Sequence, residues 1–102
     1  MKLAMIAVCA LAASGTFAYG QSVPKLNYAA TCKATPATGM SRQDTIAGCM
    51  NDEKDAQRAL PPVWAKSSRA SRTNCLAETT QGGLPSYVEL LTCLQGNLVA
   101  PQ

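Results

Sequence analysis

The sequence predicts an all-α fold: a small three-helix domain stapled by disulfides and preceded by an irregular N-terminal lead. Three observations carry this expectation. Apolar residues recur at helical spacing in three separate segments. Each segment opens beside a serine suited to cap a helix and closes at proline or glycine. Four cysteines, Cys32, Cys49, Cys75 and Cys93, are spread through a chain of only 102 residues that is poor in aromatics.

The first twenty residues read differently from the rest. Met1-Lys2 is a minimal positive start, and Leu3 to Ala13 is an unbroken apolar run. Ala18-Tyr19-Gly20 then places small residues at the −3 and −1 positions of a signal-peptidase site, so residues 1–20 are expected to be a cleavable secretory signal. Cleavage after Ala18 is the near alternative. Eleven apolar residues fall short of the ~20 needed to span a bilayer, so no transmembrane segment is expected after cleavage. Cys9 lies inside this run behind Val8, not at a lipoprotein-type cleavage point, and leaves with the signal.

Removal of residues 1–20 leaves 82 residues, eight basic and six acidic. That balance is too weak to point to nucleic acid or an anionic membrane surface. Residues 21–40 are rich in Pro, Thr and Ala with no sustained period, and form the expected irregular lead. The helical domain follows over 41–96, with helices at about 42–60, 69–80 and 86–95 and a tail at 97–102.

Ser41-x-x-Asp44 opens the first helix, which carries Ile46, Cys49, Met50, Ala56 and Leu60 at helical spacing. Asp52, Glu53 and Asp55 read as its solvated face. At Pro61-Pro62 the helix either ends at Leu60 or kinks into a short new turn, because proline lacks the amide a helix interior needs. Ser68 marks the second start and Gly82-Gly83 its stop. The basic stretch Lys66 to Arg72 reads as a solvated helix start. Pro85, Ser86 and Glu89 introduce the third helix, whose stripe is Tyr87, Leu90, Leu91 and Leu94, and Gly96 is its expected terminator.

An even number of cysteines in a short exported chain predicts two disulfides. The cysteine separations match no zinc module, no Cys-x-x-Cys occurs, and the chain has no histidine. Helix levels favour Cys49–Cys75 with Cys32–Cys93. Cys32–Cys49 with Cys75–Cys93 is nearly as well placed across the Gly82-Gly83 turn.

From Cys49 onward, the pattern Cys49-Met50-x-Asp52-Glu53, Ala56, Leu60, Trp64, then Arg72-x-x-Cys75, then Gly82-Gly83-x-Pro85-Ser86-Tyr87-Val88-Glu89-Leu90-Leu91-Thr92-Cys93-Leu94 resembles a family of small uncharacterised exported proteins of alphaproteobacteria, rhizobial types especially. The resemblance covers roughly the second half of the chain. It implies an exported helical module with no assigned activity. The chain departs from the pattern at Pro61-Pro62, where relatives keep helix-compatible residues, and at Ser71, where an acidic residue is usual. A looser similarity, in architecture only, is to the small cysteine-bearing helical modules associated with lysozyme inhibition.

Catalysis needs a base or nucleophile held near its partner, and neither a histidine nor an unpaired thiol is expected in the processed chain. No catalytic, cofactor-binding or metal-binding residues are therefore expected, and no cofactor. Trp64 and Tyr87 are the candidate partner contacts, since such residues often anchor interfaces, although core packing competes for both. The expected role is a periplasmic or secreted interaction module that binds an envelope protein. The alternative is a structural, envelope-associated protein with no discrete target.

Overall fold

The computed structural model describes residues 22–99, which hold four helices: α1 (Ala29–Ala34), α2 (Arg42–Lys66), α3 (Arg69–Thr80) and α4 (Tyr87–Val99). The all-α class is as expected. The secretory signal expected at 1–20 and the last three residues of the chain lie outside the described residues. α4 packs against both α2 and α3, and α1 lies on α2. No helix among the described residues is long and apolar enough to cross a membrane.

The lead is not wholly irregular, since Ala29–Ala34 form a short helix carrying buried Cys32. Hydrogen bonds hold it besides the disulfide. The Thr31 hydroxyl donates to the Pro85 carbonyl at 2.7 Å, and the Leu26 amide donates to the Tyr87 hydroxyl at 2.9 Å. Tyr28 meets Tyr87 edge-on, with ring centroids 5.6 Å apart.

Ser41 caps α2 as its sequence promised, its hydroxyl accepting from the Asp44 amide at 3.0 Å. The helix does not end at Leu60. It continues through Pro61-Pro62 to Lys66. The prolines withhold hydrogen bonds only from the carbonyls of Gln57 and Arg58, both exposed residues. Leu60 is fully buried and Trp64 nearly so, four residues apart across the interruption. Burial of that stripe outweighs the local penalty.

Helix α3 spans the expected residues, with the Ser68 hydroxyl accepting from the Ser71 amide at 3.0 Å. The turn after it uses Gly83 at φ 79°, where a side chain would be strained. Helix α4 passes through Gly96 instead of stopping there. Its last turn is anchored by the Asn97 side-chain amide, which donates to the Ser71 hydroxyl on α3 at 3.2 Å. Leu60, Trp64, Cys75, Tyr87, Leu90 and Leu94 form the centre of the core.

The disulfides are Cys32–Cys49 and Cys75–Cys93, with Cα–Cα separations of 5.5 and 5.7 Å, and not the favoured nested pair. The reason is the longer α2. Cys49 lies 17 residues before Lys66, roughly 26 Å along the axis, whereas Cys75 is six residues into α3, roughly 9 Å. The two are therefore not level, and α1 brings Cys32 to Cys49 instead. Tryptic digestion of the oxidised protein checks this pairing. With no Lys or Arg between Cys75 and Cys93, both fall in peptide 73–102, which should carry an internal bridge, while peptide 26–33 is linked to 43–54. Recovery of all three peptides as one linked species would overturn this pairing.

Candidate functional site

The site is a cleft of about 550 Å³ between the lead, the C-terminal half of α2 and the first turns of α3. Trp64 and Tyr87 form its floor, Pro61 and Ala65 one wall, Val23 another, and Lys25 and Arg72 the charged rim. The cleft exists because α2 runs past its prolines. A helix ending at Leu60 would carry neither Trp64 nor Ala65 to this place.

Arg72 is the residue that shapes the rim. Its Nε and Nη2 donate to the Trp64 carbonyl at 2.9 and 2.8 Å, and its guanidinium lies 5.1 Å from the centre of the Trp64 ring. One side chain thus satisfies a carbonyl at the α2 C-terminus, where the helix dipole favours a cation, and stacks on the indole of the same residue. Read from sequence as part of a solvated helix start, Arg72 is instead half-buried; Lys66 and Arg69 are exposed as expected. The signal that would have found it is the two-residue turn Ser67-Ser68, which leaves Arg72 one turn into α3 and facing back.

Tyr87 holds the opposite side. Its hydroxyl accepts from the Leu26 amide and, at 3.4 Å, from the Gln57 side chain, and donates to the Pro24 carbonyl at 3.5 Å. It is thereby the tether that keeps residues 22–26 over the cleft. Both candidate contact residues are core residues, Trp64 6% and Tyr87 2% exposed, yet both reach the cleft surface. Lys25 had no distinguishing mark in the sequence, because its proximity arises only from packing; Gln57, Pro61 and Ala65 share one face of α2, whose continuation past Pro61-Pro62 the sequence left open.

The acidic residues of α2 part company. Asp52 is exposed, and exposed Asp55 pairs with Arg58 at 2.8 Å, a pairing that adds little stability at such exposure. Glu53 is not on the solvated face. It is 3% exposed, its carboxylate accepting from the Tyr87 amide at 2.6 Å and the Ser86 hydroxyl at 2.5 Å. A carboxylate from α2 therefore caps the start of α4, where free amides and the helix dipole both favour an anion. Ser86 in turn accepts from the Glu89 amide at 3.2 Å, and its own amide donates to the Thr79 hydroxyl at 2.9 Å. This network fixes the three longer helices relative to one another, and none of Glu53, Thr79, Ser86 and Glu89 lines the cleft.

A second, smaller concavity beside the Cys75–Cys93 bridge is lined by Glu78, Glu89 and Val88. Cys93 Sγ lies 3.7 Å from a Glu78 carboxylate oxygen, a contact and not a hydrogen bond, because a disulfide sulfur has no proton to donate. Comparison with protein-family models, with curated proteins and with solved structures returned no match.

Proposed function

We propose that this chain is an exported interaction module that acts by binding, through the cleft floored by Trp64 and Tyr87, and not by catalysis. The cleft is the observation that carries the reading: a concave, largely apolar surface with two cations at its rim, held by a disulfide-braced scaffold. Two disulfides in so small a domain fit an oxidising compartment outside the cytoplasm. The apolar run at Leu3–Ala13 and the Ala18-Tyr19-Gly20 site supply the export route. The resemblance of the Ser86–Leu94 segment to small exported proteins supports the same compartment.

The test uses protein recovered from the periplasm of a producing cell. Intact mass is expected to correspond to residues 21–102 less four hydrogens, with thiols labelled only after reduction. A photo-cross-linking residue at Ala65 is expected to form a discrete adduct, whereas the same residue at Asp52 forms none. Recovery of full-length, thiol-reactive protein from the cytoplasm would overturn export. Equal cross-linking from both positions, or from neither, would overturn the cleft as the working surface.

A further inference from the structure

We infer that the occupant of the cleft is a small anionic amphiphile, a molecule with one apolar body and one negatively charged head. This deepens the proposed function and rests on it. The cleft volume of about 550 Å³ falls within the roughly 300–1,000 Å³ typical of small-molecule sites. Its interior is apolar, with Pro61, Ala65 and Val23 around the exposed edges of Trp64 and Tyr87. Among the described residues that line it, the charged ones are Lys25 and Arg72, both cationic.

Placement explains how the two halves would be read. The Arg72 guanidinium is positioned by the Trp64 carbonyl beneath it, so its charge is held at the mouth at no further entropic cost on binding. Lys25 is exposed on the facing segment, which Tyr87 fastens through the Leu26 amide and the Pro24 carbonyl. An anionic head between these cations leaves its apolar body directed along Pro61 and Trp64. A neutral molecule would forfeit the rim, and a cationic one would be repelled by it.

Trp64 is the sole tryptophan of the chain, so its emission reports the cleft directly. Decanoate, added to the mature oxidised protein below its micelle concentration, is expected to shift that emission saturably. Decanol, with the same tail, should bind at least tenfold more weakly, and decyltrimethylammonium more weakly still. Lys25→Glu, at an exposed position outside the core, should weaken decanoate about tenfold without changing the far-UV circular dichroism. Ala65→Phe, which fills the cleft from an exposed helix position, should abolish the shift. Equal response to all three head groups would overturn the inference, as would indifference to Lys25→Glu. A protein-sized cross-link at position 65 together with no decanoate response would assign the cleft to a macromolecule, overturning this inference while leaving the binding role intact.

Discussion

Opening both disulfides is expected to unfold this protein near physiological temperature. Each bridge closes a short loop, with sequence separations of 17 and 18, and is worth roughly 3 kcal/mol on the chain-entropy model. Together they contribute about 6 kcal/mol, against a total of about 4–12 kcal/mol for a domain of this length. Of the two, Cys75–Cys93 should matter more. Cys75 is fully buried within the central cluster, and the bridge joins α3 to α4 there. Cys32–Cys49 fastens the lead to α2, so its loss should release α1 first. The double substitution Cys75→Ala with Cys93→Ala is expected to lower Tm by about 10–25 °C, and Cys32→Ala with Cys49→Ala by less. Thermal unfolding followed by circular dichroism, with and without reductant, measures both. A reduced protein that kept its cooperative transition within a few degrees would show that the core alone suffices.

The second large effect concerns Glu53. Glu53→Gln keeps the volume but offers an amide NH₂ where the Tyr87 amide or the Ser86 hydroxyl now donates. One buried donor then loses its acceptor, at a cost of about 1.5–3 kcal/mol. Glu53→Ala removes both acceptors and leaves a void, and should cost about 3–5 kcal/mol. Urea denaturation of the oxidised protein gives these values directly. The pairing itself is tested by Ser86→Ala combined with Glu53→Gln, which should cost less than the sum of the two single changes because the stranded hydroxyl is gone. A Glu53→Gln protein within about half a kcal/mol of the parent would remove Glu53 from the account of how α2 and α4 are joined, since loss of a buried charged acceptor costs more than that.

These two features were unequally legible. The cysteine count in a short chain expected to be exported pointed to two bridges, but the partners depended on where α2 ended. Proline at 61 and 62 argued for a stop, and local preference is a strong argument only where packing is silent. Here Leu60 and Trp64 lie on one buried stripe that continues through the prolines, so the helix ran on and the expected register between Cys49 and Cys75 was lost. Glu53 was misread for a different reason. A carboxylate flanked by Asp52 and Asp55 resembles a solvated face, yet its spacing from Cys49, Ala56 and Leu60 puts Glu53 on the buried stripe; what the spacing does not disclose is its partner, the start of a helix 33 residues later.

The sequence by itself determined the helical class, the Ser41 and Ser68 caps, the span of α3, the apolar stripe of α4 and the presence of cysteines suited to disulfides. All of these are set by residues within a turn or two of each other, where periodicity and capping chemistry act. Tertiary structure alone decided the bridge partners, the passage of α2 through Pro61-Pro62, the partner of Glu53, and the cleft that Trp64, Arg72, Lys25 and Tyr87 share. Those depend on free energy gained when distant segments exclude water together, a quantity that no local stretch of the chain carries.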